Sequence, residues 1–392
     1  MWNADKIVYR GEDDFIRAYQ GSELVWEKSI PNNVIYYTSS DGQIVTPDIG
    51  AGKEGYGFGA NIVSNTYSEG RGVIVFDGPV TKIGYEAFSR TDITTIDIPK
   101  STTAIYDSFF LTDLTSIYIP ASVTDNCLQG SFARSENLTS IVVDPNNPVY
   151  DSRDNCNAVI KTSVNTLVSG CNATVIPSTI ERIDYRAFFG FLGITSITLP
   201  SSVKSISSQA FYECNNLSSI DLGSVERLNP NCLGRTALST LNIPSTVISL
   251  GGLVCSDCYN LSSITVNSNN QVYDNRNNCN AVIETATNTL IMGCNSTVIP
   301  STVTKLADYC FYGKGITSVT IPTSVIEIGR QSFESCTYLT EVIMESTVPP
   351  ILGYNVFTNT SSNLVIKVPA ESLQAYKTAT GWSDYADDII AQ

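Results

Sequence analysis

The sequence contains no histidine in its 392 residues. That absence excludes Ser-His-Asp and Cys-His catalysis and every histidine-ligated zinc site. Any enzymatic chemistry would fall to carboxylates, Lys, Tyr or Cys alone. Basic residues are few: 23 Lys and Arg stand against 38 Asp and Glu, for a net charge of −15. Such a surface repels phosphate backbones and anionic lipid, which argues against nucleic-acid partners and simple electrostatic membrane binding. No apolar run reaches the roughly 18 residues of a transmembrane helix. Residues 1–14 are polar and charged, with no apolar stretch typical of a secretion signal, so a signal peptide was either removed or not used.

What the chain does have is 42% hydrophobic residues, enough to bury a large core, and a repeat of about 22 residues. Val80, Ile83, Ala87 and Phe88 are followed by Ile93, Ile96, Ile98 and Pro99. The unit returns as Val203, Ile206, Ala210, Phe211, Leu217, Ile220 and Leu222, and again as Val325, Ile328, Ser332, Phe333, Leu339 and Val342. The pattern L-x-x-I-x-I-P alternates apolar and polar positions as a half-buried strand does, and the proline ends it because it has no N–H for a ladder. The V-x-x-I stretch predicts a second short strand, and the Ala-Phe step a 3₁₀-like turn with Phe inward. The expected inward residues are Phe88, Phe110, Phe132, Phe188, Phe211, Phe311, Phe333 and Phe357, with Leu233 and Cys255 in the same slot of two degenerate units. One coil cannot bury its own apolar face, so the coils must stack, at about 4.8 Å each.

Phrases such as Ile243 to Leu250 and Ala210 to Leu217 resemble the BspA-like leucine-rich repeats of Bacteroidetes and treponemal surface proteins, over roughly residues 79–370. The resemblance implies an α/β leucine-rich-repeat solenoid, strand-dominated, with short 3₁₀ turns. It also implies adhesion or protein binding, without catalytic residues. The repeat lacks an Asn ladder, so the horseshoe curvature of the commoner leucine-rich repeats is not expected. The predicted organisation is a small β module over 1–30, an N-terminal cap over 31–78, the solenoid over 79–346, and a last repeat with C-terminal cap over 347–392. Val368 to Lys377 reads as a short helix, with Trp382 and Tyr385 lying over the last coil, an ending that recurs in the family.

A longer duplication overlies the repeat: Leu138 to Thr179 is nearly copied at Leu261 to Thr302, 123 residues on. It carries two inserts, near 144–177 and 267–300, each read as a β-hairpin turning near Lys161–Asn165 or Glu284–Asn288. Strand signals at Ile7–Tyr9, Ile16–Tyr19 and Leu24–Trp26 mark the first residues, where Y-x-G-x-x-L-V-W is similar to modules of some Bacteroides phage proteins.

Several motifs invite a chemical reading. Gly50 to Gly55 spells G-x-G-x-x-G, but no strand precedes it and no helix follows, so it reads as a cap loop. Cys255 and Cys258 spell C-x-x-C, yet both fall on core slots of the repeat, as do Cys214, Cys232, Cys310 and Cys336, and packing is the favoured reading. Cys156 with Cys171, and Cys279 with Cys294, are spaced alike in the two inserts and fall opposite one another in the expected hairpins, as disulfides or as paired thiols. Asp144, Asn146, Asn147, Asp151 and Asp154 could ligate a hard cation, but the copy replaces Asp144 and Asp154 by Asn267 and Asn277, so a turn-rich insert is expected instead.

No cofactor and no metal site is expected. The outward strand column reads Asp97, Tyr118, Val142, Thr198, Asp221, Asn242, Thr265, Thr320 and Ile343. Of these, Asp97, Tyr118, Thr198, Asp221, Asn242, Thr265 and Thr320 are the candidate ligand-facing residues, for a surface protein or glycan of host or bacterium. The same column is also what any soluble sheet face requires. Low aromatic content on it weighs against a deep sugar cleft, and no acidic pair sits where a two-carboxylate glycosidase would need one. Two roles remain: a non-enzymatic, extracellular adhesion protein of a gut-type bacterium, or a phage tail-associated protein that touches a host with the same solenoid.

Overall fold

The computed structural model describes residues 30–392 except 51–52 and 126, together with the backbone of three strands before residue 28. Those strands, Lys6–Ile7, Arg17–Gln20 and Glu23–Glu27, form one antiparallel sheet. Residues 21–22 of the phage-like motif, and all its side chains, lie outside the described residues. The chain divides into two compact units, Met1–Phe191 and Leu192–Gln392.

Each unit is a strand-dominated β-solenoid in which the coils contribute longer and shorter strands that pair in parallel with those of neighbouring coils. In the first unit Ser116–Ile119 pairs with Ser140–Val143, and Lys82–Ile83 with Ala104–Ile105. At its start, Val34–Ser39 runs antiparallel to Ile93–Asp97 and to Arg71–Phe76, which pairs in turn with Ile62–Ser68. The reversal of direction covers the edge of the first coil, which would otherwise present unpaired backbone groups. In the second unit the long ladder joins Ser318–Ile321, Glu341–Met344, Val365–Val368 and Ile389–Ala391. The short ladder includes Lys305–Leu306, Glu327–Ile328 and Ile351–Leu352. Here the C-terminal helix Leu373–Thr378 closes the end, with Trp382 buried against Tyr376 (5.0 Å between ring centres) and Phe357 (6.4 Å), and Tyr385 edge-on to Phe357.

The repeating Phe side chains stack inside. In the first unit Phe88, Phe109 and Phe132 follow at 5.7 and 5.9 Å; in the second Phe311, Phe333 and Phe357 follow at 5.0 and 5.6 Å. The inward residue of the second coil is therefore Phe109, not Phe110. That coil pairs Ile105 with Ile83 but reaches its Phe slot one residue sooner, and Phe110 is left half-buried beside Arg90 and Arg134.

The Ala-Phe step is a pair of linked turns, not a 3₁₀ helix. Glu86 and Arg90 adopt left-handed φ of 57° and 59°, and Gln209 and Glu213 repeat this at 58° and 61°. Alternate amides then point along the stack: Phe88 and Arg90 donate to the next coil's Ser108 and Phe110 carbonyls, while Ala87 and Ser89 close local turns on Gly84 and Glu86. Among the described residues 3₁₀ conformation occurs at Gly50, in the inserts and in the C-terminal cap.

Each insert is a hairpin extended by a third strand. Val159–Lys161 and Thr166–Ser169 pair antiparallel around Thr162–Val164, and Tyr150–Asp151 joins the outer side. The copy pairs Ala281–Glu284 with Thr289–Gly293 and with Tyr273–Asp274. The last hairpin strand is seated in the stack because it ends on glycine: a Cβ on Gly170 would lie 2.2 Å from the Phe188 ring, and one on Gly293 2.1 Å from Phe311.

Candidate functional site

In the second unit the outward strand column stands clear of the core. Thr198 is paired with Asp221, and Asn242 with Thr265, in direct parallel register; all four are exposed, as is Thr320. Parallel pairing puts identical repeat positions side by side, Thr198 by Asp221 and Asn242 by Thr265, while Thr320 stands on a separate ladder that follows the second insert. Asp221, Asn242 and Thr265 line an open recess of about 450 Å³, together with Ser219, Gly223 and Asn267. Its floor is tied down locally. Asp221 Oδ1 accepts from the Gly223 amide at 3.0 Å, and Thr265 Oγ1 donates to Asn242 Oδ1 at 2.5 Å. The Asn242 Nδ2 group makes no intramolecular hydrogen bond among the described residues and remains as a donor pair. The recess is shallow, polar and lined by one carboxylate, a surface suited to hydrogen bonding rather than to enclosing a small molecule.

Asp97 and Tyr118 do not belong to this stripe. Asp97 is 6% exposed and sits opposite Tyr36 of the capping strand, and Tyr118 is 2% exposed with its hydroxyl donating to Asp144 Oδ2 at 2.7 Å. The first unit's face is thus covered at the two positions where the sequence placed ligand contacts.

The acidic residues of the inserts hold their own turns. Asp144 Oδ1 accepts from the Asn146 amide, and Asp151 is gripped by both Nε and Nη2 of Arg153 at 2.8 and 2.7 Å. Burial pushes the Asp151 carboxyl up, but Arg153 and the Thr162 hydroxyl outweigh it and leave the group below its usual range. Asp274 repeats the grip with Arg276 and the hydroxyl with Thr285. This explains why Asp274 alone of the acidic set survives in the copy. The arginines were the missed partners; their matching offsets from Asp151 and Asp274 were the available signal. Among the described residues no group of three or more His, Cys, Asp or Glu is placed to hold a metal ion.

All the cysteines are free thiols, and all but Cys127 are buried. Cys156 and Cys171 are not opposed across the hairpin. The ladder begins at Val159 and Ser169; Cys156 ends the 3₁₀ turn Arg153–Asn155, and Cys171 donates to the Asn157 carbonyl at 3.3 Å. Cys279 and Cys294 repeat this, with Cys294 on the Asn280 carbonyl at 3.1 Å. Burial pushes the Cys156 thiol up to about 12. Cys214, Cys232, Cys258, Cys310 and Cys336 occupy core slots as expected. The G-x-G-x-x-G segment lies partly outside the described residues; what is described has Asp48 Oδ1 accepting from the Gly50 amide in a loop.

Compared with known proteins, the chain matches the profile of the BspA type leucine rich repeat region in six copies, over residues 69–156, 167–282 and 287–379. No curated protein matches it significantly. It is similar to a solved leucine rich cell surface protein from Faecalibacterium prausnitzii A2-165, at 19% identity over 87% of this chain and 88% of that one, with a TM-score of 0.46. A leucine-rich repeat protein from Bacteroides ovatus ATCC 8483 shares 19% identity over 100% and 99% of the two chains, with a TM-score of 0.40. The pneumococcal vaccine antigen PcpA shares 14% over 80% and 85%, also at 0.40.

Proposed function

The chain belongs to the BspA-type leucine-rich-repeat family, and from that premise we propose that it is an extracellular protein-binding module acting by contact rather than by turnover, with the stripe Thr198, Asp221, Asn242, Thr265 and Thr320 as its contact face. The observation that carries this reading is the open recess over Asp221, Asn242 and Thr265. Short polar side chains on a rigid ladder lose little entropy when they bind. The Asn242 amide offers donors, and Asp221 is a carboxylate that pairs with a partner's Lys or Arg. A protein fits better than a sugar, because no aromatic ring lines the recess for a pyranose to stack on. No helix among the described residues is long and apolar enough to cross a membrane.

The test is capture from a host cell envelope with the intact chain, followed by the same assay with Asn242→Arg and Thr265→Arg together. Both positions are exposed, so the unfolding midpoint should not move while binding falls at least about tenfold, the equivalent of about 1.4 kcal/mol. Capture unchanged by the double substitution would rule this face out.

A further inference from the structure

The two copies of the 123-residue duplication differ at one core position in a way that leaves a charge uncovered. Phe191 of the first copy is buried, and the second copy has Lys314 in its place. That lysine is only 2% exposed, and its Nζ donates to the Cys255 carbonyl. A buried ammonium needs a compensating anion. Lys314 forms no ion pair with a carboxylate among the described residues. Thiols near it place their protons on carbonyls: Cys258 Sγ donates to Leu233 at 3.2 Å and Cys336 Sγ to Phe311 at 3.0 Å.

The backbone beside Lys314 is also short of partners. In the preceding coils the amide of the inward residue donates to the next coil: Phe211 to the Cys232 carbonyl and Leu233 to that of Val254, both at 2.9 Å. The matching acceptor for Cys255 is the Cys310 carbonyl, but the insert has taken it, with the Gly293 amide donating at 2.8 Å. The amide before each inward residue closes a local turn, Ala210 on Ser207 and Cys232 on Asn229, and Val254 makes no such bond. Among the described residues the amides of Val254 and Cys255 therefore have no hydrogen-bond acceptor, although both residues are buried. Buried backbone N–H groups without a partner are rare and costly. Val254, Cys255 and Lys314 all line one cavity of about 20 Å³, together with Met292, Tyr309 and Cys310, and no carboxylate lines it. A space of this size holds one particle of about the size of a water molecule.

We propose that Lys314 and the amides of Val254 and Cys255 form a buried binding site for one chloride ion. A monovalent anion matches the single uncompensated ammonium, and an ion without internal geometry accepts from N–H donors in whatever directions the backbone sets. Backbone amides converging with a cation make such anion sites elsewhere in proteins. Water in the cavity would satisfy the amides but bring no charge. Phosphate and sulfate are too large for the space. The site belongs to the second copy alone. In the first copy the Arg134 amide reaches the next coil at the Phe189 carbonyl, at 2.9 Å, whereas the counterpart amide of Asp257 makes no bond to Tyr312. Chloride thus joins Cys255 to Lys314 where the second insert interrupts the backbone bonds between their coils.

The experiment unfolds the reduced full-length chain with urea in mixtures of sodium chloride and sodium gluconate at fixed total salt, gluconate being too large for the cavity. Once chloride exceeds its dissociation constant, each rise of about tenfold should raise the folded-to-unfolded ratio about tenfold, because the ion binds only the folded chain. Lys314→Met should lose that dependence, and so should Lys314→Phe, which restores the first-copy side chain. Crystals grown in sodium bromide, a heavier halide standing in for chloride, should show an anomalous scattering peak within hydrogen-bond reach of Lys314 Nζ. That readout needs no variant to fold. The proposal is overturned if wild-type stability is the same in chloride and gluconate, if either folded variant responds as wild type does, or if bromide leaves no peak beside Lys314. Cys258→Ser, which restores the first-copy serine, separates the ion from a Cys258 thiolate as counterion. Wild type and this variant should respond alike, and a response confined to the variant would also overturn the proposal.

Discussion

Asn147 of the first insert and Asn270 of the second make the same four hydrogen bonds. Asn147 Nδ2 donates to the Pro120 and Val123 carbonyls, both at 2.9 Å, and its Oδ1 accepts from the amides of Val149 and Tyr150. Asn270 binds Pro244 and Val247 and accepts from Val272 and Tyr273 in the same way. One side chain thus binds two carbonyls at the end of one coil, of which Pro120 or Pro244 also accepts from the Val123 or Val247 amide, and two amides at the start of the insert. Removing it leaves half-buried polar groups unpaired. Asn147→Ala and Asn270→Ala should each lower the unfolding free energy by about 2 kcal/mol in chemical denaturation, and by similar amounts. Losses below about 0.5 kcal/mol would mean that water replaces the amide without penalty.

Phe333 lies between two parallel rings, Phe311 at 5.0 Å and 8°, and Phe357 at 5.6 Å and 15°. Phe333→Ala should cost about 4 kcal/mol, the transfer and cavity cost of a fully buried ring. Phe333→Leu should cost clearly less, because the repeat itself accepts Leu233, fully buried, in the equivalent slot. Equal losses for the two variants would show that ring stacking, not filled volume, holds the coils together.

The stack was legible because its determinants are local and periodic: V-x-x-I and L-x-x-I-x-I fix two strands, and Pro99 or Pro200 ends one of them. What escaped depends on things a single coil does not encode. Phe109 and Phe110 are adjacent, and only the pairing of Ile105 with Ile83 decides which turns inward. The left-handed residues of the Ala-Phe turn include Glu86, Arg90 and Gln209, where glycine would have been the signal; Gly130, Gly190 and Gly313 are the few coils that carry it. Burial of Asp97 and Tyr118 comes from packing around them, so their strand pattern alone read as exposed.

Acid should test the arginine grips. Asp151 and Asp274 are both held below the ordinary carboxylate range. Burial opposes this, but the Arg153 or Arg276 fork, a backbone amide and a threonine hydroxyl outweigh it. A depressed folded value stabilises the protein above the unfolded value of about 3.9, and the contribution disappears as pH falls through the folded value. The double variant Asp151→Asn with Asp274→Asn should therefore be less stable than wild type at neutral pH. The gap should close as pH falls below about 4, the unfolded value, read as denaturant midpoints. A gap of constant size across that range would show that the carboxylate charge is not what Arg153 and Arg276 use.

The insert cysteines make the sharpest chemical test. Cys171 Sγ and Cys294 Sγ each donate to the carbonyl of the residue following the other cysteine, Asn157 and Asn280. Thr174 and Thr297 reinforce the arrangement by donating to those same carbonyls at 2.6 Å. A thiol that serves as a donor to a buried carbonyl has a structural role that a disulfide sulfur, lacking its proton, cannot fill. The expected outcome is that a sample purified without reductant or oxidant, then denatured and alkylated, takes up label on all 11 cysteines. Its intact mass should not change on reduction. Before denaturation, labelling should favour Cys127, the one thiol not fully buried, and proceed slowly there because burial raises that thiol to about 11. Cys156, pushed up to about 12, should stay unlabelled on the same time scale. An unreduced mass lower by about four daltons, with the four insert cysteines unlabelled, would mean that both inserts are bridged. The thiol-to-carbonyl bonds at Asn157 and Asn280 would then not exist in solution.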